Sequence, residues 1–98
     1  MAEQEPADAV EAIVRAVPGV ADMHAGMFGE VATHLPGRKV VGVRISGSTI
    51  DVHITAWADP SVRETAAGVR AALADRWPDA SVDVTVEAVA LAPLPHAD

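Results

Sequence analysis

Cysteine is absent from this 98-residue chain, which excludes a disulfide framework and thiolate chemistry. Aromatic residues are nearly absent: there is one Phe, two Trp and no Tyr. A core drawn mainly from Ala and Val buries modest area per side chain, at about 25 cal/mol per Å². Marginal stability, or support from self-association, is therefore expected. No stretch approaches the uncharged length of a membrane-spanning helix. The first twenty residues lack the basic start and continuous apolar run of a secretion signal. A cytoplasmic location without direct membrane insertion is expected, and any work at a membrane would need a separate anchor. Basic residues are scarce, seven against fourteen acidic for a formal net charge of -7. That balance opposes a nucleic-acid backbone or an anionic lipid surface as the main partner.

The strongest local signal is a hairpin around Gly47-Ser48. Setting Ser46 opposite Thr49 pairs Ile45 with Ile50, Arg44 with Asp51, Val43 with Val52, Gly42 with His53 and Val41 with Ile54. Apolar residues then meet on one face, and the opposite charges of Arg44 and Asp51 meet on the other. Gly at the first central position of a two-residue loop marks a type II′ turn. A slip of one residue would send the apolar set to the wrong face, so the register is strongly specified.

Around this hairpin the remaining elements follow. Asp8 is placed to cap a helix carrying Val10, Ile13, Val14 and Val17 at helical spacing, with Pro18-Gly19 as its stop. Val20–Met23 continues in extended form. Residues 24–39, punctuated by Gly26, Gly29 and Pro36-Gly37, read as a loop folded over the core edge, with Phe28, Val31, Ala32 and Leu35 able to line a short helix. Strands are expected over residues 40–46 and 49–58. Asp59-Pro60-Ser61 then opens a second helix, with Ser61 and Glu64 forming a capping box and Val62, Ala66, Val69, Leu73 and Trp77 forming its stripe. A third strand over 80–89 alternates, with Val82, Val84, Val86 and Ala88 inward and Asp83, Thr85 and Glu87 outward. The order is α-β-β-α-β. It describes one two-layer α+β domain over residues 8–90, a three-stranded sheet with helices on one face, between flexible termini at 1–7 and 91–98. A crossover through the second helix sets the third strand parallel to the second. Its neighbour, the first or the second strand, is left open.

Chemistry is sparse. His24 and His34 have no companion at metal-ligand spacing, and His96 lies in the tail. His53 shares the polar sheet face with Asp51 and Thr55. Residues two apart on a strand point the same way about 6.6 Å apart, too far for direct triad geometry, so an exposed histidine is expected. Asp51, Asp83 and Glu87 share the same face without a cleft. No nucleophile elbow, P-loop or GxGxxG pattern is present. Neither enzyme, metal site nor cofactor is expected. Trp57 is the one outward residue that is not polar. Either it packs at the sheet edge beneath residues 24–39, or it anchors a contact surface with Arg44, His53, Thr55, Asp83 and Thr85.

Several segments together resemble one bacterial family. Ala12–Met23 (AIVRAVPGVADM), Val41–Ile45 (VGVRI), Ile50–Ile54 (IDVHI), Ser61–Arg70 (SVRETAAGVR) and Val82–Val86 (VDVTV) resemble in order and spacing the alkaline shock protein family, also known as glucose-starvation general stress proteins. Phe28–Gly37 looks like an actinobacterial version of the family's loop. Members often carry Tyr-Gly after the second strand, where this chain has Trp57-Ala58-Asp59-Pro60. The resemblance implies a non-enzymatic role in cell-envelope homeostasis and stress response, exerted through protein contacts or self-association. It also implies a cytoplasmic protein, in some cases held at the membrane by an anchored partner of the same family. It supplies no catalytic residue. Two other classes stand beside it: a small-ligand module using residues 24–39, and a nucleic-acid module using Arg38, Lys39 and Arg44, which the net charge opposes.

Overall fold

The computed structural model describes residues 5–59 and 61–91. Its elements are α1 (Pro6–Arg15), β1 (Val20–Met23), β2 (Ala32–Leu35), β3 (Arg38–Val41), β4 (Val43–Ser46), β5 (Thr49–Trp57), α2 (Val62–Arg76) and β6 (Ser81–Ala90). The class is α+β, as the element pattern predicts, but the sheet is richer than three strands. The expected flexible termini at 1–4 and 92–98, with His96, and the helix-opening Pro60 lie outside the described residues.

The hairpin of β4 and β5 has the expected register: Val43 opposite Val52, Arg44 opposite Asp51, Ile45 opposite Ile50 and Ser46 opposite Thr49. Gly47 alone takes a positive φ at the turn, +58°, as the first central position of a type II′ turn requires. The expected pairing then holds for one further step, since the His53 N–H donates to the Gly42 carbonyl at 2.9 Å. Beyond that it fails. Gly42 has φ +83° and turns the chain out of the sheet, so Val41 pairs with Ala32 instead of Ile54. Met23 of β1 takes the place opposite Ile54. β1 and β4 therefore lie end to end along one edge of β5, both antiparallel to it.

The segment read as a loop contains a second hairpin, β2 with β3, closed through Pro36-Gly37. It is tied to the main sheet by the Gly42 N–H to Val31 carbonyl bond (2.8 Å) and by the Thr33 hydroxyl donating to the Val43 carbonyl (2.6 Å). Val31 and Val40 are buried. Phe28 is not part of any apolar helix face: it is 91% exposed, on a turn closed by the Gly29 N–H to Gly26 carbonyl bond.

α1 starts at Pro6, earlier than Asp8, because proline suits the first helical turn. Residue 6 and the buried Ala7, expected in the loose terminus, belong to the helix. Asp8 is not the cap. It lies in the first turn and accepts two bonds from the Arg38 guanidinium, at 2.8 and 2.6 Å. Val10 and Val14 are fully buried, with Ile13 and Val17 packed beside them. α2 is capped as expected, the Glu64 N–H donating to the Ser61 hydroxyl at 3.2 Å. Val69 and Leu73 are buried, and Thr65 joins them by donating its hydroxyl to the Ser61 carbonyl.

β6 runs parallel to β5 on the edge opposite β1 and β4, which settles its neighbour. Ile54 faces Val86 but Thr55 faces Ala88, so Glu87 is an extra residue, a β-bulge. The bulge moves Ala88 from the expected inner face to the outer one, beside Thr55. Ile50, Val52, Ile54 and Ala56 form the inner face of β5, and the core closes on it with Val10, Val14, Val69 and Leu73 from the helices and Val40 from β3.

Two outcomes follow from this architecture. A Cβ at Gly42 would lie 2.8 Å from the His53 carbonyl oxygen and 3.0 Å from the Met23 Cβ. Gly42→Ala is expected to destabilise the domain by more than about 2 kcal/mol, combining backbone strain with overpacking. Gly37→Ala, at φ +74° with nothing within 4 Å, should lose only about 1–2 kcal/mol. Urea unfolding of the two variants checks the difference. The Arg38 guanidinium holds the Asp8 carboxyl below its usual pKa. A lowered folded-state pKa adds stability above the unfolded value, and that stability disappears as pH falls through the folded one. Asp8→Asn should therefore flatten the acid limb of the urea midpoint against pH and leave its neutral-to-alkaline shape unchanged.

Candidate functional site on the open face of the sheet

The outward residues of β5 are Thr49, Asp51, His53, Thr55 and Trp57, and all five are half-buried. Strand alternation puts them on one side, since their neighbours fill the core. The helices and the β2–β3 hairpin contribute to the inner side.

The centre of this face is His53. Its Nδ1 lies 2.6 Å from Glu87 Oε2, and its Nε2 lies 3.2 Å from Asp51 Oδ1. The His53 and Glu87 side chains are each only 14% exposed and that of Asp51 29%. An exposed histidine was expected, and the structure corrects this. The backbone spacing on a strand limits Cα atoms, whereas an imidazole and a carboxylate on one face can lean together. Glu87 arrives from the bulge in β6, which puts its carboxylate beside a residue two strand positions removed from its own register. No pattern in the sequence announces that bulge.

A neutral imidazole has one N–H, and a carboxylate only accepts. The Nδ1–Glu87 contact is a hydrogen bond, and the Nε2–Asp51 contact is an ion-pair distance. The two carboxylates lie at different ring nitrogens and do not converge, and among the described residues no group of three His, Cys, Asp or Glu side chains is placed to hold a metal ion. The Nδ1–Glu87 bond clamps β5 to β6 across the bulge.

The other expected surface residues are distributed around this clamp. Thr85 is opposite His53, Asp83 is opposite Asp51, and Thr55 is opposite Ala88. Arg44 is in register with Asp51 but makes no ion pair with it. Its guanidinium donates to the Glu30 carbonyl at 2.8 Å, and Asp51 turns to His53 instead. Trp57 pairs with Ala90 on one side, and its N–H donates to the Gly19 carbonyl on the other. Residues 24–39 reach β5 at His53, through the His24 N–H, so Trp57 is flanked by the start of β1 instead. His24 Nδ1 accepts the Gly26 N–H, and His34 pairs in register with Lys39. Of the basic run, Arg38 is held by Asp8.

Comparison with protein-family models, with curated proteins and with solved structures finds no match to this chain. Among the described residues no helix is long and apolar enough to cross a membrane.

His53→Ala leaves the part-buried Glu87 carboxylate without its hydrogen-bond partner and Asp51 without the imidazole beside it. The expected loss is about 1–3 kcal/mol in urea unfolding. Adding Asp51→Asn and Glu87→Gln should recover part of it, since the amides remove the uncompensated charge.

Proposed function

We propose that this domain acts by protein contact and not by turnover, with the open face of the sheet as its docking surface. The observation that carries the reading is Trp57, a half-buried aromatic that ends the outward row Thr49, Asp51, His53 and Thr55 on β5. A rigid aromatic of this kind is the residue type that concentrates binding energy at interfaces. The alkaline-shock resemblance supports a place in cell-envelope stress response, in the cytoplasm, with recruitment to the membrane by an anchored family member. The net charge of -7 favours a partner with basic segments over nucleic acid, and capture should weaken at high salt.

A second reading is favoured by one observation. A cavity of about 360 Å³ opens at the other end of the sheet, lined by Val10, Ile45, Ile50, Trp77, Pro78 and Ala80 among others. It falls within the range of small-ligand sites. None of its lining residues belongs to the 24–39 segment, where the sequence suggests a ligand loop. A thermal-shift screen of apolar compounds tests it.

Trp57→Ala decides the main proposal. Loss of partner capture in co-purification, with and without membranes, at unchanged melting temperature supports the docking surface. A large fall in melting temperature with capture intact overturns it.

A further inference from the structure

β6 spans ten residues, and among the described residues it pairs with β5 alone. Its far side is a row of backbone N–H and C=O groups without strand partners, a template for another strand. Ser81–Ala90 contains no Pro and no Lys; the bulge at Glu87 interrupts the edge, which leaves Ser81–Val86 as a regular ladder with Asp83 as its one charge. We propose that the occupant is β6 of a second copy, antiparallel across a two-fold axis through Val84, so that two four-stranded sheets become one.

The residues of β6 are self-complementary, and they select the register. In an antiparallel pair, residues directly opposite share a face. Val82, Val84 and Val86 pack toward the core and remain partly exposed, while Ser81, Asp83 and Thr85 are exposed on the other side. An axis through Asp83 would set that carboxylate against itself. One through Thr85 would set Asp83 against Glu87. One through Val86 would oppose Val84 to Ala88, which the bulge has turned to the other face. One through Val82 would leave only a short ladder. The axis through Val84 avoids all four. It sets Val84 against Val84, Val82 against Val86, Asp83 against Thr85 and Ser81 against Glu87, and it ends the ladder at the bulge. A core built from Ala and Val gains from the additional valine burial. Like-charged copies repel, so this association strengthens with salt, opposite in sign to capture of a basic partner by the open face.

The absence of cysteine makes the test clean. Opposite residues in an antiparallel ladder lie about 4.5–5.5 Å apart at Cα, within the span of a disulfide. In the full chain, V84C should cross-link to itself under a mild oxidant. D83C and T85C should link to each other when mixed, and neither to itself. Sedimentation equilibrium should show a dimer that tightens with salt. T85D sets carboxylate against Asp83 twice and should weaken the dimer about tenfold, whereas Trp57→Ala should leave it unchanged. A monomer at all concentrations and salts overturns the proposal. So does a dimer that is indifferent to T85D and not cross-linked through V84C. Either failure would leave partner capture by the open face standing, because that is read from a different variant.

Discussion

His53 is where the sheet is joined. Its N–H donates to Gly42 at the end of β4, and its carbonyl accepts from His24 at the end of β1. Its ring holds Asp51 on its own strand and Glu87 on β6. Two strands lying end to end along β5 would ordinarily leave an unpaired gap between them, and buried backbone groups do not tolerate one. Here the gap is closed by one residue whose two backbone groups serve the two strands in turn. The close approach this needs is possible only because Gly42 has no Cβ. The side chain then fixes the third strand from the same Cα.

That junction marks the boundary between what the sequence reveals and what it does not. The β4–β5 register is legible because alternation, a turn glycine and opposite charges agree. The capping of α2 by Ser61 is legible for the same reason, and the parallel course of β6 follows from the helix between it and β5. The break at Gly42 is not legible: Val41 and Val43 flank it with unbroken β propensity, and only tertiary pairing by Met23 diverts the chain. β2 and β3 are four residues each, too short for alternation to rise above a loop rich in Gly and Pro. The bulge at Glu87 is invisible because one extra residue leaves composition and hydrophobicity unchanged. The site residues Asp51 and Glu87 were visible as carboxylates on the open face. Their convergence on His53 was not, since it depends on that bulge.

Two of the seven Lys and Arg residues hold α1 in place. Arg38 joins the first turn of α1 to β3 through Asp8. Arg15, in the last turn, bonds Glu11 at 3.1 Å and Asp22 of β1 at 2.9 Å. All three pairs are partly exposed, so each is a modest contribution that salt screens. Their placement matters more than their strength. They fix the two ends of a short helix whose apolar stripe is narrow, and both draw their positive charge toward the helical side of the domain. Arg44 contributes to the loop at Glu30 and does not neutralise Asp51. The open face is left with Asp51, Asp83 and Glu87 around a single imidazole.

An acidic face of this kind discriminates between occupants by the sign of their charge. A basic segment is attracted to it and a nucleic-acid backbone is repelled. A second copy would meet like charges directly through the face, whereas at the strand edge only the net charge of the two copies would oppose it, because Asp83 can lie against Thr85 and the valines against each other. Face and edge therefore have different selectivities on one sheet. Strand β6 belongs to both, and Glu87 links them: its carboxylate organises the face through His53, and its bulge sets the length of the edge. A substitution there is not expected to affect one without the other.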